Sequence, residues 1–210
     1  MLPSHIDGGF HVILETMHVL EKKGIMLLRC PGRVLLAYVE GKGVVVVAKR
    51  DIRRGEKVLP LRGTVVRSPS KWGVQIGRDA HVDSDVFRAE DFISHSCSAN
   101  MRLDVDQMWW VATRHIPAHH EVTYNYLTSE YSMRSRSWFK CRCGSKNCYG
   151  SIRGFKHLTS AQKLSLKPLL TPFLREFLRK EIEQKELYKK SARRVGFAIR
   201  SKPTRGRDHR

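Results

Sequence analysis

The sequence is poor in acidic residues, and this imbalance is its strongest compositional feature. Asp and Glu number 20 among 210 residues against 39 Lys and Arg, which gives a formal net charge of +19 and a pI near 10.2. Such an excess predicts attraction to a polyanion, either nucleic acid, an anionic membrane or an acidic protein. Residues 154–210 alone hold 16 Lys and Arg against 5 acidic residues. Either this end contacts a polyanion or it is a solvated segment that adds solubility.

Long apolar runs and cysteines are also scarce. No apolar run approaches the roughly 18 residues of a membrane-spanning helix, so we expect no membrane contact. His5, Asp7, His11 and Glu15 interrupt the N-terminal stretch, which argues against a secretory signal. The five cysteines are an odd number, which favours an intracellular, reducing compartment over a disulfide framework. No carboxylate cluster suits magnesium, so a metal-dependent nucleic-acid enzyme is a weak alternative.

Short runs of Val and Leu between glycines dominate residues 25–66. They predict several short strands joined by turns. Two further strand-like segments are MWWVATRHI (108–116) and EVTYNYL (121–127), with a turn at Pro117. The segment FHVILETMHVLEKK (10–23) fits either a helix or a strand. The larger part of the chain is therefore expected to be β.

The C-terminal part carries helix signals. Thr159 and Gln162 form a T-x-x-Q capping box, which predicts a helix beginning there. Thr171 and Pro172 make a suitable N-cap and first-turn pair for a second helix. Residues 191–210 mix basic residues with Gly and Pro without a sustained period, which predicts a flexible basic tail.

Three cysteines are grouped in CRCGSKNCYG, with the spacing C-x-C-x4-C: Cys141, Cys143 and Cys148. A closed structural zinc site needs a fourth ligand. Cys97 lies in the polar stretch FISHSCSAN, whereas Cys30 ends an apolar run and fits a small buried residue. Both remain candidates on these grounds. An iron–sulfur cluster and three free thiols are the other interpretations.

Three shorter motifs carry groups suited to a site. The glycines of GKG (41–43) let backbone approach a ligand closely, although this pattern is more often a plain turn. Tyr124 and Tyr126, two residues apart in a strand, point to one face and either line a slot or are ordinary half-buried tyrosines. His95 in FISHSCSAN suits a general base, a ligand or a structural hydrogen bond.

In this order the motifs resemble the SET-domain protein lysine methyltransferases that carry a post-SET motif. EGKGVVVVAKRDIRRGEKV looks like the opening strand pair of that family, and FISHSCSAN like its F-I-N-H-S-C-x-P-N. EVTYNY looks like its E-L-T-Y-D-Y, and CRCGSKNCYG like its post-SET knuckle. The resemblance covers residues 32–155. It implies a mainly β fold, a SET-domain β-clip with knot-like threading, followed by C-terminal helices.

The resemblance also implies a division of the chain. The segments are an N-terminal flank (1–31), the SET domain (32–128), a post-SET zinc segment (129–157), C-terminal helices (158–190) and the basic flexible tail (191–210). The sequence departs from the family pattern at Ser94, Ala99 and Asn125, where the family has Asn, Pro and Asp.

The activity implied is methyl transfer from S-adenosyl-L-methionine to a lysine side chain of a protein, either a histone or another basic protein. The matching catalytic positions are Tyr126, Tyr124 and His95. The matching cofactor positions are Gly41, Lys42, Gly43, Ser94, His95 and Tyr126. Trp138 and Phe139 precede the knuckle, and from this local position alone we expect them to cover the cofactor. The matching Zn²⁺ ligands are Cys97, Cys141, Cys143 and Cys148. The alternative is a catalytically weak, zinc-stabilised SET module that binds chromatin or nucleic acid.

Other features bear on the substrate and on the location in the cell. The tail (191–210) is a candidate nucleic-acid contact. Four acidic residues before FISHSC either face a basic peptide or are solvated: Asp83, Asp85, Glu90 and Asp91. A tyrosine at 124 crowds the lysine channel, so we expect mono- or dimethylation. The implied location is the nucleus in a eukaryote and the cytoplasm otherwise.

Overall fold

The computed structural model of the chain describes residues 33–39, 41–86, 88–133 and 137–194. Segment 10–23 and Cys30 lie outside these residues, as does most of the predicted tail. Within the described part, twelve strands form four small sheets and two α-helices follow them. The predicted fold class, mainly β with C-terminal helices, is confirmed.

The strands are short, and most pairs are antiparallel. One sheet pairs β1 (Val34–Val39) with β2 (Gly43–Ala48). The largest contains β3 (Lys57–Pro60), β7 (Ser94–His95), β8 (Met101–Asp104), β9 (Trp109–Ala112) and β10 (Thr123–Tyr124), in the order β3-β9-β8-β10-β7. A third contains β4 (Thr64–Val66), β5 (Val74–Gly77) and β6 (Ala80–Asp83), in the order β4-β6-β5. The last pairs β11 (Phe139–Lys140) with β12 (Ser151–Ile152).

The GKG motif forms the turn of the first hairpin. Gly41 and Gly43 have φ angles of 72° and 94°, which glycine adopts without steric cost. The N–H of Lys42 donates to the carbonyl oxygen of Val39 at 3.0 Å, which closes the turn. The valines that follow in β2 extend the chain, because β-branched side chains favour a pleated strand.

Strand β10 lies between β7 and β8 and runs parallel to both, although only residues 96–100 join those two strands. The buried Asn100 ties the three together. Its Nδ2 donates to the carbonyl oxygen of Glu121, and its Oδ1 accepts from the N–H of Thr123, both at 2.8 Å. A later segment is thus inserted between two earlier ones, as the predicted knot-like threading requires.

One hydrophobic core lies beneath the largest sheet. Its largest fully buried side chains contribute about 1.5–3 kcal/mol each relative to exposure. They are Trp110, Ile52, Leu59, Met101 and Ile116.

The predicted capping box begins the first helix. In α1 (Ser160–Leu166), Thr159 Oγ1 accepts from the N–H of Gln162 at 3.3 Å, and Gln162 Oε1 accepts from the N–H of Thr159 at 2.8 Å. The second helix, α2 (Pro172–Arg194), begins at the predicted proline. It continues four residues beyond Lys190, into the segment predicted as the tail. Residues 191–195 contain no Gly or Pro, so the sequence has no helix-ending residue there.

The described residues up to Arg175 form one compact unit, and those from Glu176 to Arg194 belong to a second. In the described part of the second, Arg179 forms ion pairs with Glu176 and Glu183. Within the described ranges, no helix combines the length and apolar character needed to cross a membrane.

Candidate active site and metal centre

The chain leaves the strand ladder immediately after Tyr124. Asn125 Oδ1 accepts a hydrogen bond from the N–H of Leu127 at 3.1 Å and caps a 3₁₀ helix over Tyr126–Thr128. The expectation that EVTYNYL is one strand is therefore wrong beyond Tyr124, because a capping side chain starts a turn there. An amide oxygen serves this cap as a carboxylate would, so the departure at Asn125 preserves the local structure.

Tyr126 is held at both ends. Its hydroxyl donates to the carbonyl oxygen of Ile93 at 2.7 Å, and its backbone N–H donates to Nδ1 of His95 at 3.1 Å. The position of the hydroxyl is thus fixed from the segment that precedes the H-S-C motif.

His95 connects Tyr126 with a cysteine sulfur. Because Nδ1 accepts a hydrogen bond, the neutral ring carries its proton on Nε2, which lies 3.3 Å from Sγ of Cys97. Burial lowers the pKa of His95 to about 4, so the ring is neutral at physiological pH. Both nitrogens are engaged, which favours a positioning role. The catalytic assignment of His95 stays a prediction.

A cavity of about 520 Å³ lies beside Tyr126. Tyr124, Tyr126 and Phe139 contribute aromatic walls, and the two tyrosine rings have centroids 4.8 Å apart. Burial raises the pKa of both tyrosines above the usual value near 10, so their hydroxyls remain protonated. The volume lies within the range of about 300–1,000 Å³ typical of small-molecule sites.

Three carboxylates line the same cavity: Glu90, Asp91 and Glu130. Glu90 and Asp91 belong to the predicted acidic group. Asp83 accepts hydrogen bonds from Ser70 and Ser84, and Asp85 is exposed outside the lining. Two of the four predicted acidic residues, Glu90 and Asp91, therefore lie where they could face a bound molecule. Sequence reasoning missed Glu130, because no spacing or local pattern distinguishes it from an ordinary surface acid.

The structure brings four cysteines together: Cys97, Cys141, Cys143 and Cys148. Their sulfurs all lie within 4.8 Å of one another, and Cys97 Sγ is 3.8 Å from that of Cys141 and 3.9 Å from that of Cys148. Four sulfurs placed tetrahedrally at about 2.3 Å from one zinc ion are about 3.8 Å apart. The arrangement therefore fits a single tetrahedral ion and leaves no room for the several irons and sulfides of a cluster.

Local backbone contacts hold the knuckle in this shape. β11 pairs with β12, and the N–H of Cys141 donates to the carbonyl oxygen of Gly150 at 2.7 Å. The N–H of Tyr149 points at Cys97 Sγ from 3.4 Å. Burial raises the pKa of Cys97 and of Cys141, the latter to about 11. A cation held between the four sulfurs would favour their ionised form.

The predicted cofactor residues fall into two places. Ser94, His95 and Tyr126 meet at the junction of β7 and β10. Gly41 and Gly43 lie in the hairpin turn, and the space where a Cβ would sit is open for 4 Å around each. Lys42 Nζ pairs with the carboxylate of Glu121 at 2.7 Å. This turn is open to a ligand, but its cofactor role stays a prediction.

The two aromatic residues predicted to cover the cofactor lie in different surroundings. The ring of Phe139 lies edge-on to His95, with centroids 5.7 Å apart, and lines the cavity. Trp138 is partly exposed, and its Nε1 donates to the carbonyl oxygen of Met133 at 2.9 Å. Phe139 is therefore the better candidate for a contact with a bound molecule.

Residues 43–127 match the family described as SET domain. The chain is 33% identical over 138 residues to the variant-silencing SET domain-containing protein of Plasmodium falciparum, a match covering 52% of this chain and 5% of that protein. It is 30% identical over 154 residues to the H3 lysine-36 specific histone-lysine N-methyltransferase of Yarrowia lipolytica, covering 60% of this chain and 19% of that one. The matches thus span less than a fifth of either relative.

Two solved structures are also similar, at lower sequence identity than these relatives. The methyltransferase domain of human SETMAR has 18% identity and a TM-score of 0.48, covering 60% of this chain and 59% of that one. KRYPTONITE in complex with mCHG DNA and SAH has 23% identity and a TM-score of 0.47, covering 59% and 30%. The family match includes both cavity tyrosines, Tyr124 and Tyr126, whereas Glu130 and Phe139 of the cavity lie beyond it. The chain is similar to the SET-domain family over residues 43–127.

Proposed function

We propose that this protein transfers a methyl group from S-adenosylmethionine to a lysine side chain of a protein. One observation carries the proposal: the hydroxyl of Tyr126, in the segment similar to the SET-domain family, is fixed at the wall of an aromatic cavity. The relative from Yarrowia lipolytica supports a histone as substrate. With a histone substrate, the protein acts in the nucleus of a eukaryotic cell, where the basic tail has DNA within reach.

Bound S-adenosylmethionine supplies a methyl group already activated as a sulfonium. The protein then has to align an amine with that methyl, and correct alignment alone accelerates such a step strongly. Tyr126 is suited to this task because its hydroxyl is held by Ile93 and its backbone by His95. The aromatic rings of Tyr124 and Phe139 place apolar surface beside the amine, which disfavours a charged ammonium.

The four cysteines are proposed to hold one Zn²⁺ ion with a structural role. A closed set of four thiolates leaves no coordination position for a substrate. The ion would join the knuckle to the H-S-C motif and so keep Phe139 against the cavity. The proposed segments are those of the predicted division, with the end of the helical part moved to Arg194.

We further propose that the product is mono- or dimethyl-lysine. Tyr124 is almost fully buried, and its ring lines the cavity with its centroid 4.8 Å from that of Tyr126. A phenol hydroxyl in this place narrows the space available to a lysine nitrogen that already carries methyl groups.

The test is a transfer assay with labelled S-adenosylmethionine and core histones or nucleosomes. Tyr126→Phe removes only the hydroxyl, and we expect label transfer to fall about 100-fold, the size of effect that misplacement of about 1 Å produces. Tyr188→Phe is the matched control, because Tyr188 is 72% exposed. A wild-type protein that transfers no label and binds no cofactor would instead support the non-enzymatic, chromatin- or nucleic-acid-binding module.

A further inference from the structure

Glu130 reaches the cavity from the segment that follows Tyr126. Its backbone is fixed on both sides, because its N–H donates to the carbonyl oxygen of Tyr126 and its carbonyl oxygen accepts from the N–H of Phe155, both at 2.8 Å. The side chain is partly buried and lines the cavity together with Tyr124 and Tyr126. The carboxylate is therefore held in a defined place beside the proposed lysine channel.

Among the described residues, one oxygen of the Glu130 carboxylate accepts hydrogen bonds and the other does not. Oε1 accepts from the backbone N–H of Gln75 at 2.9 Å and from Oγ of Ser129 at 3.4 Å. Oε2 has no hydrogen-bond partner within the described part of the chain. Ser129 Oγ also lies 3.5 Å from the carbonyl oxygen of Tyr126, so this hydroxyl bridges the Tyr126 backbone and Glu130.

Burial brings the pKa of the Glu130 carboxyl close to the value suited to a general base at physiological pH. It raises the pKa of the carboxyl to about 7, against the hydrogen bonds from Gln75 and Ser129, which lower it. An acid with this pKa is ionised about half the time at neutral pH and can both take up and release a proton.

The other charged and titratable groups of the cavity differ in how well they could accept a proton. Burial keeps Tyr124 and Tyr126 protonated, and Arg67 and Lys71 are cations. The remaining groups are His81, Glu90 and Asp91. Asp91 Oδ2 accepts from the N–H of Arg88 at 2.8 Å. Glu90 is buried, and its Oε1 has no partner within the described residues, so it is the competing acceptor.

We propose that Glu130 removes the proton of the target lysine before methyl transfer. The inference rests on the proposed methyltransferase function. One N–H bond of the ammonium breaks, and its electron pair stays on the lysine nitrogen while an O–H bond forms at Oε2. The lone pair then forms the bond to the methyl carbon, and the electron pair of the broken S–C bond stays on sulfur. Glu130 returns its proton to water before the next turnover.

The step matters because free lysine is almost entirely charged. With a pKa of about 10.4, roughly one lysine in a few thousand is neutral at pH 7. An internal proton acceptor lets the enzyme use the abundant ammonium form. Without it, the enzyme depends on the rare neutral form, whose concentration rises tenfold with each pH unit.

The experiment is the pH dependence of kcat/KM between pH 6 and 9.5, using labelled S-adenosylmethionine and a histone or other accepted protein. In the wild type, kcat/KM rises as Glu130 ionises near pH 7 and then reaches a plateau. Glu130→Gln keeps an oxygen acceptor for Gln75, so the fold is preserved. We expect it to lower kcat/KM at least 100-fold at pH 7. Its kcat/KM then rises tenfold per pH unit with no plateau.

Two control variants make the result specific. Glu186→Gln, at an exposed position of helix α2, keeps the wild-type profile. Glu90→Gln keeps the plateau, even with altered substrate affinity. The proposal is overturned by an equal loss at every pH in Glu130→Gln, by an unchanged rate, or by loss of the plateau in Glu90→Gln instead. A wild-type profile without a rise between pH 6 and 8 overturns it without any variant.

The two proposals fail in different ways. A wild type that transfers no label at any pH contradicts the proposed function itself. An active wild type whose Glu130→Gln variant retains the plateau contradicts only the role of Glu130.

Discussion

The backbone N–H of Tyr126 donates to Nδ1 of His95 at 3.1 Å, across a separation of 31 residues. The other nitrogen of the same ring lies 3.3 Å from Cys97 Sγ. A single imidazole therefore joins the cysteine cluster to the residue that presents its hydroxyl to the cavity. Partners of this kind orient ligands and tune metal affinity.

Two substitutions of His95 separate its two contacts. Asn places an acceptor oxygen near the position of Nδ1 but does not reach Cys97, whereas Phe loses both contacts. We expect both variants to bind zinc about 10- to 100-fold more weakly, the usual effect of losing such a partner. With saturating zinc, His95→Asn should regain most of its methyl transfer and His95→Phe should not. Competition with a chelator and a transfer assay measure the two effects; equal recovery would contradict the proposed link to Tyr126.

The four-cysteine site predicts which thiol completes the zinc ligand set. We expect purified wild type to contain one zinc per chain, Cys97→Ser to lose it, and Cys30→Ser to keep it. Elemental analysis measures the content. Retention of zinc in Cys97→Ser together with its loss in Cys30→Ser would reverse the assignment.

Metal removal should separate activity from folding. We expect chelation or Cys143→Ser to abolish methyl transfer while the β core, which Trp110 and its neighbours form without the knuckle, stays folded. Circular dichroism and tryptophan fluorescence follow the core, and label transfer follows the activity. Simultaneous loss of both would mean that zinc holds the whole fold together.

Tyr124→Phe should increase the number of methyl groups added. The change removes one hydroxyl from a buried position beside the cavity, which enlarges the channel without altering the aromatic wall. We expect mass spectrometry of the product to shift by one methyl group. An unchanged distribution, or mainly trimethyl-lysine from the wild type, would contradict the proposed control by Tyr124.

Gly154→Ala should damage both stability and activity. A Cβ there would lie 2.8 Å from the Cα of Ser132 and from the carbonyl oxygen of Tyr131, and φ is +110°. Gly55→Ala is the matched control, since φ is +86° but no atom lies within 4 Å. We expect a cost of about 1–2 kcal/mol at Gly55 and roughly 1–3 kcal/mol more at Gly154, measured by urea unfolding. Equal costs would mean that the chain adjusts around Gly154.

Features encoded by local chemistry could be predicted from the sequence. The capping box at Thr159 and the helix start at Pro172 depend on neighbouring residues alone, and both formed as expected. The valine-rich hairpin around Gly41 also follows from turn and strand preferences. Family resemblance, rather than spacing, selected Cys97 over Cys30 as the partner of the knuckle.

Features that depend on distant contacts could not be predicted. β5 and β6 have four residues each and mix polar with apolar side chains, so their alternation is too short to recognise. Tyr126 leaves the strand because Asn125 caps a turn. Glu130 became a candidate only when the fold placed it beside Tyr124, since its burial comes from residues far away in the sequence.

Because β10 lies between β7 and β8 but follows both in the chain, the site is completed late during synthesis. Tyr126 must emerge from the ribosome after both flanking strands, and the cysteine cluster waits for Cys148, 51 residues after Cys97. Contacts between such distant residues form slowly, because long loops must close first. A nascent chain that ends after residue 127 therefore already contains both tyrosines, but the wall carrying Phe139 and the knuckle has yet to be made.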